Sequence, residues 1–294
     1  MKVVVSDNMN PGALEKVKET GAEVIYKPDS LEDAVSDAEV LVVRSATKVT
    51  EGLISKAPNL KAVIRGGVGL DNIDQEACRE RGVEVVNTPG ASTNAVAELA
   101  LTLILSTSRN VQKAHLTMKQ GRWEKKALAG HEVRGKTLGL IGCGRIGSLL
   151  AEKASALGMK VLGFNPPPRH ESTVITYVGS LDELFREADI ISLHVPLNPS
   201  TENLLNADAF SKMKEGAIVI NTSRGPVINE DALYDACSSG KVGAAALDVF
   251  REEPYKGKLL ELENVFFTPH LGASTSEAQI RIGEEIAGKI RSLM

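Results

Sequence analysis

Short apolar runs of strand length alternate along the chain with stretches whose apolar positions recur every three or four residues. In the first ninety residues the runs are Val3–Ser6, Glu23–Tyr26, Val40–Val43, Lys61–Ile64 and Glu84–Val86, separated by helix-like spacing over Pro11–Glu19 and Asp74–Arg81. Near-continuous apolar strands with intervening helices indicate parallel sheets covered on both faces. The rhythm restarts at Lys136 with Thr137–Ile141, Lys160–Phe164, Ile190–Leu193, Ala217–Asn221, Gly243–Asp248 and Asn264–Thr268. Six strands with five connections is the count of a doubly wound dinucleotide fold. Thr93–Arg109 is a long apolar helix candidate joining the two α/β units, and Glu277–Ser292, opened by Ser and Thr before Glu277, is a capped terminal helix.

Length supports two domains: 294 residues exceed the common domain size of roughly 100–200. With 43% hydrophobic residues both units can build ordinary cores. A net charge of −4 disfavours nucleic acid as a partner. No apolar run reaches the roughly 18 residues of a membrane span, and Met1–Asp7 turns polar too soon for a signal peptide. Cys78, Cys143 and Cys237 stand alone without C-x-x-C spacing, which argues against disulfides or structural zinc and points to the cytoplasm. No metal site is expected.

The first chemical signal is Gly142-Cys143-Gly144-Arg145-Ile146-Gly147, which follows the strand Thr137–Ile141 and opens the helical pattern Ser148–Leu157. In this G-x-G-x-x-G context the glycines allow a tight turn, close approach of pyrophosphate and close helix–strand packing. The free N–H groups near Arg145 and Ile146 would face the diphosphate. The position after the second strand, where an acidic residue normally meets the adenosine ribose, holds Asn165. Asn165 can bond a ribose but does not repel a 2′-phosphate, and Arg169 and His170 could attract one. NAD is the expected cofactor with NADP open, and a turn-opening role for Asn165 is an equal alternative.

Three further segments follow strands of the same sheet: Thr222-Ser223-Arg224-Gly225, Asp248 through Pro254, and Thr268-Pro269-His270-Leu271-Gly272. Ligands bind outside the carboxyl ends of strands in open α/β sheets, so the convergence of these segments singles out His270 as a catalytic candidate. His194, in Leu193-His194-Val195-Pro196, also ends a strand and is expected to border the cofactor; His115 and His131 are left structural. Asp248, just after a strand, reads as a cap on the turn that follows it.

The order G-x-G-x-x-G, H-V-P, T-S-R-G, D-V-F-x-x-E-P and T-P-H-L-G-A-S-T resembles the D-isomer-specific 2-hydroxyacid dehydrogenase family over nearly the whole chain. The resemblance implies a Rossmann NAD-binding domain (94–272) inserted into a flavodoxin-like substrate domain (1–93 plus 273–294), with closure at a hinge that excludes water. It implies that Arg224 clamps the substrate carboxylate and carbonyl oxygen, that His270 exchanges a proton with the hydroxyl oxygen, and that Glu253 orients His270 and favours its imidazolium form. It adds Val68, Val195, Pro196, Thr222, Ser223, Asp248, Gly272 and Ala273 to the cofactor contacts, with Arg224 and His270 shared between cofactor and substrate.

Segments 43–47, 65–72, 87–89 and 121–124 resemble the branch of that family that oxidises a phosphorylated 2-hydroxy acid, 3-phospho-D-glycerate, to 3-phosphohydroxypyruvate at the entry to serine synthesis. Such a substrate needs cations beyond Arg224. Arg44 and Arg65, each ending a strand, and Gly67 beside Arg65 are the candidates. The alternatives are a glyoxylate or hydroxypyruvate reductase, a D-lactate dehydrogenase, and an NAD-sensing protein of the co-repressor kind. The resemblance also implies a homodimer whose arm, about 111–128, brings Lys125 and Lys126 toward a neighbouring subunit. No regulatory domain is expected after the last helix.

Overall fold

A computed structural model describes residues 1–167 and 171–294. The chain divides into two compact units, Met1–Ala95 with Ala273–Met294, and Val96–Gly272.

In the first unit β1 (Lys2–Val5), β2 (Glu23–Tyr26), β3 (Val40–Val43), β4 (Ala62–Arg65) and β5 (Glu84–Asn87) form a parallel sheet in the order β2-β1-β3-β4-β5. This is the flavodoxin-like doubly wound order, with its switch point between β1 and β3. The strands are apolar throughout because both faces are covered. Val4, Leu41, Val43 and Val63 pack with Ile54 and Cys78, while Val3, Val5, Val42 and Ile64 pack on the other side with Ala13, Val17, Ile282, Ile286 and Ile290. The last three belong to the terminal helix Ser276–Leu293, capped by the Thr275 side chain on Ala278 N. Against it lies the helix Pro11–Lys18. Gly283 permits the approach, since a Cβ there would sit 2.5 Å from Ala13 Cα.

The second unit holds β6 (Thr137–Ile141), β7 (Lys160–Phe164), β8 (Thr176–Tyr177), β9 (Ile190–Leu193), β10 (Ala217–Asn221), β11 (Val242–Leu247) and β12 (Val265–Phe267). They form a parallel sheet ordered β12-β11-β10-β9-β6-β7-β8, a Rossmann sheet whose switch point lies between β6 and β9. The sheet has one strand more than the sequence pattern predicts. β8 is a two-residue edge pairing with β7 at Leu162 and Gly163, too short to leave a periodic signature. Leu138 and Leu140 face one core, and Ile141, Ile191 and Leu193 the other. The helix predicted from Ser148 begins three residues earlier and spans Arg145–Ala156, so the glycine loop feeds straight into it. Among the described residues no helix is long and apolar enough to cross a membrane, and no cluster of His, Cys, Asp or Glu could hold a metal ion.

Candidate active site

Every element of the candidate site in the second unit lies at the carboxyl edge of its sheet. At the switch point, Gly142 takes φ +95°, and a Cβ on it would meet the His194 carbonyl oxygen at 2.5 Å and Val195 Cγ1 at 2.9 Å. A Cβ on Gly147 would meet the Gly142 carbonyl oxygen at 2.2 Å. The loop is therefore folded tightly against His194–Val195, and only glycine fits at both positions. Gly144 faces open space and caps the following helix without a side-chain hydrogen bond, and both it and Arg145 are exposed. The first N–H groups of that helix thus remain available to an anion.

Asn165 sits at the end of β7, and its Oδ1 accepts the Cys143 N–H at 3.1 Å while its Nδ2 donates to the Pro166 carbonyl at 2.9 Å. Its amide oxygen thus braces the glycine loop. Arg169 and His170, named for a possible 2′-phosphate, lie outside the described residues. His194 is partly buried, with Nε2 at 2.9 Å from Ser192 Oγ, and burial pushes its ring down to about 4. It is neutral at physiological pH and brings no charge to the loop.

After β10, Asn221 organises the next turn. Only 1% exposed, it accepts from Ser223 N (2.9 Å) and Ser223 Oγ (2.8 Å) and donates Nδ2 to the Arg224 carbonyl (2.9 Å). The Ser223 hydroxyl is therefore engaged inside the turn, whereas Thr222 Oγ1 is buried with no hydrogen-bond partner among the described residues. A buried hydroxyl left unpaired costs about 1–3 kcal/mol, so this atom suits a partner from outside the chain. Gly225 lies so close to the next strand's loop that its Cβ would fall 1.9 Å from Phe250 C.

Asp248, 1% exposed, follows β11 and is spent on the loop that carries His270. Its Oδ1 accepts from Thr268 Oγ1 (2.6 Å) and Leu271 N (2.7 Å), and Oδ2 from Gly272 N (2.9 Å). These bonds reach the loop after β12, not the turn that follows the strand of Asp248 itself. Burial pushes its carboxyl pKa up, against the pull of those three donors and of His270. The clamp holds His270 at φ +54°, in the left-handed region, where a non-glycine residue stays only if its surroundings fix it.

There His270 Nδ1 lies 2.8 Å from Glu253 Oε2. Glu253 in turn accepts the Phe250 N–H through Oε1 at 3.2 Å. Burial alone would raise its pKa, but the His270 hydrogen bond and charge, the Phe250 N–H and the charge of Arg224 outweigh it, so Glu253 is held below the ordinary carboxylate range. Arg224, Glu253 and His270 are thus gathered in one place, with Nδ1 of the imidazole committed to the carboxylate and Nε2 left for a reactant. A phenyl–phenol stack of Phe250 on Tyr255, with ring centroids 4.5 Å apart, backs the Glu253 turn. Sequence reasoning passed over Asn221, Thr268 and Gly225; the only hint was a polar residue or glycine at a strand's end.

A surface hollow of about 520 Å³, lined by Trp123, Glu124, Lys125, Lys126 and Ala127, contains none of these residues. In the first unit, Arg44 follows β3 and Arg65 ends β4, at the same sheet edge. A Cβ on Gly67 would overlap the Arg65 guanidinium, so Gly67 makes room for that side chain. Val68 is 38% exposed nearby in sequence, and Ala273 accepts from Gln279 Nε2.

The glycine cradle, the bare helix start and the unpartnered Thr222 hydroxyl fit a dinucleotide. Residues 101–272 match the profile of the D-isomer specific 2-hydroxyacid dehydrogenase NAD binding domain. The chain is 51% identical over 266 residues to a hydroxypyruvate reductase of Thermotoga maritima, covering 89% of this chain and 87% of that protein. It is 45% identical over 302 residues to a D-3-phosphoglycerate dehydrogenase of Methanocaldococcus jannaschii, covering all of this chain but only 57% of that longer protein. A solved acyclic imino acid reductase, Bsp5, in complex with NADPH and D-Arg, superposes with a TM-score of 0.90 at 33% identity, covering 100% of this chain and 97% of that one. With a Rossmann sheet, a glycine loop and an Arg–Glu–His group at its carboxyl edge, the chain belongs to the D-isomer-specific 2-hydroxyacid dehydrogenase family of NAD-dependent oxidoreductases.

Proposed function

We propose that the chain interconverts hydroxypyruvate and D-glycerate, with the second unit holding the dinucleotide and the first contributing to substrate binding. The observation that carries the chemistry is the His270 Nδ1–Glu253 pair beside Arg224. Fixing Nδ1 on a carboxylate leaves Nε2 as the proton carrier: it gives its proton to the C2 oxygen during reduction and takes it back during oxidation. Arg224 offers a planar fork to the substrate carboxylate and the C2 oxygen. A bound nicotinamide supplies or accepts the hydride at C2. Gly142, Gly144, Arg145, Ile146 and Gly147 would hold the diphosphate. The remaining contacts would come from Val68, Asn165, His194, Val195, Pro196, Thr222, Ser223, Asp248, Gly272 and Ala273.

The identity to the hydroxypyruvate reductase, spread over nearly its whole length, supports an unphosphorylated substrate. A second reading, oxidation of 3-phospho-D-glycerate, is favoured by Arg44 and Arg65, two guanidinium groups at one sheet edge with Gly67 beneath the second. Asn165 supplies no carboxylate against a 2′-phosphate, so we propose NAD as the cofactor with NADP tolerated. Val111, Leu116, Met118 and a 78%-exposed Trp123 leave an apolar arm uncovered, which supports a homodimer; three free, buried cysteines suit the cytoplasm.

One assay tests the proposal: reduced-nicotinamide absorbance with hydroxypyruvate, glyoxylate, pyruvate and 3-phosphoglycerate, each with both coenzymes. The highest kcat/KM is expected for hydroxypyruvate with NADH. A higher value for 3-phosphoglycerate selects the second reading, and no turnover on any of them refutes both. Sedimentation of the purified chain tests the dimer.

A further inference from the structure

At the switch point of the first sheet, the loops after β1 and β3 meet, and a buried carboxylate lies where ligands of open α/β sheets usually bind. Asp7, 8% exposed, turns both oxygens to the loop that follows β3. Its Oδ2 accepts the backbone N–H of Arg44 (2.6 Å) and of Thr47 (3.2 Å), and its Oδ1 accepts the Thr47 hydroxyl (2.5 Å). The same hydroxyl contacts Ser6 Oγ at 2.9 Å. From the other side, Asn72 Nδ2 donates to the carbonyls of the same two residues, Arg44 (2.7 Å) and Thr47 (2.6 Å). Asn72 is itself anchored, its carbonyl accepting Val49 N at 2.8 Å.

The four-residue loop Arg44-Ser45-Ala46-Thr47 is thus gripped at both ends, by a carboxylate on its N–H groups and a carboxamide on its C=O groups, with Ser45 and Ala46 exposed at the tip. Arg44 leaves this loop with Nη1 on the Asn8 carbonyl (3.0 Å) and with Nε buried and without a hydrogen-bond partner among the described residues. Burial works against its positive charge, and the nearby Asp7 charge works for it.

We propose that Asp7 and Asn72 are positioning residues that clasp the Arg44–Thr47 loop, so that the Arg44 guanidinium is held preorganised for the anionic part of the substrate. A buried charge is costly unless its hydrogen bonds are met, and here they are met by two N–H groups and the Thr47 hydroxyl of the loop that carries the cation. The clasp removes loop disorder that substrate binding would otherwise have to remove, so it acts on affinity. This rests on the reading that Arg44 belongs to the substrate site, whichever of the two substrates is the physiological one.

The test compares Arg44→Ala, Asp7→Ala, Asp7→Asn, Asn72→Ala and Thr47→Val for KM and kcat on hydroxypyruvate and 3-phosphoglycerate, with NADH affinity by fluorescence. Arg44→Ala is expected to raise KM for the preferred substrate tenfold or more. Asp7→Ala and Asn72→Ala should each raise the same KM about tenfold, with kcat within threefold and NADH affinity unaltered. Asp7→Asn should recover most of the loss, because its NH₂ can face Thr47 Oγ1 while its oxygen keeps the two N–H groups. A merely structural role would lower kcat and the melting temperature without a selective rise in KM. If Arg44→Ala raises KM but neither Asp7→Ala nor Asn72→Ala does, the clasp is wrong and the substrate site stands. If Arg44→Ala leaves KM untouched on both substrates, both ideas go. Should Asp7→Ala not fold, Asn72→Ala and Thr47→Val decide between these outcomes by the same criterion.

Discussion

Gly225 is the most exacting position in the second unit, and the reason is space, not backbone dihedral. A Cβ there would lie 1.9 Å from Phe250 C, 2.1 Å from its carbonyl oxygen and 2.4 Å from Arg251 N. All three atoms are main chain, and none can rotate away. To reach an ordinary contact of 3.4 Å the two segments must part by about 1.5 Å. One segment carries Arg224. The other carries Glu253, because Phe250 N is bonded to Glu253 Oε1 and Arg251 N to Glu230 Oε1 at 2.9 Å. Whichever segment moves, the guanidinium and the Glu253–His270 pair lose their register. A displacement of about 1 Å in a catalytic group costs on the order of 100-fold in rate, or about 2.7 kcal/mol of transition-state stabilisation. Gly225→Ala should therefore lower kcat/KM for the 2-keto acid about 100-fold. Overpacking should also take about 1–3 kcal/mol of stability, so rates are measured well below the melting transition. A variant with kcat/KM within threefold of the parent would show that the three groups do not act as one fixed unit.

Glu253 is held below the ordinary value of 4.5, so its pairing with His270 supports the fold above that value and is lost as pH falls through the lowered one. Melting curves of the parent and Glu253→Gln should differ at neutral pH and converge in acid; a gap that does not narrow as the pH falls contradicts this. Asn165→Asp keeps an acceptor for Cys143 N but adds a charge facing any 2′-phosphate, so KM for NADPH should rise about tenfold or more with little change for NADH. Asp248→Asn should lower kcat about tenfold or more, since each orientation of the amide sets an NH₂ against Leu271 N–H or Gly272 N–H; a rate within twofold of the parent would show the clamp on the His270 loop to be unimportant. Gly283→Val forces side-chain atoms against Ala13 and should cost about 1–3 kcal/mol in urea unfolding, while leaving NADH binding by the second unit intact in native conditions.

The sheets were legible because their strands are buried on both faces. A run such as Ile190–Leu193 or Thr137–Ile141 is apolar at successive positions, and its limits coincide with the observed strand. β8 was not legible: Thr176–Tyr177 pairs at an edge where tertiary contact, not pattern, makes the strand. The helix after the glycine loop begins at Arg145 because the loop closes directly into it, a start that low-propensity Gly147 conceals from a reading by periodicity. Arg224, Glu253 and His270 could be gathered in advance because each follows a strand of one parallel sheet, and parallel strands put those ends on one edge. Asn165 shows the opposite limit. Its place in the chain makes it a candidate for cofactor selectivity, yet only the structure reveals that its Oδ1 braces the Cys143 N–H.

Asp7 and Asp248 explain why the remainder of the site was hidden. Each is a short acid just after an apolar strand, which in sequence reads as an ordinary turn residue. In each unit that carboxylate is nearly buried and grips the main-chain N–H groups of a loop carrying a candidate cation or imidazole: Arg44 in the first, His270 in the second. The two grips are not equivalent. At Asp7 one oxygen meets only a hydroxyl, which can reverse its role, so an amide can replace the acid. At Asp248 both oxygens meet backbone N–H groups, which cannot reverse, so an amide always opposes one donor with another. The same Asp→Asn change is therefore mild at one sheet edge and damaging at the other. The difference lies in which donors converge on the acid, a property of the fold that the local sequence does not carry.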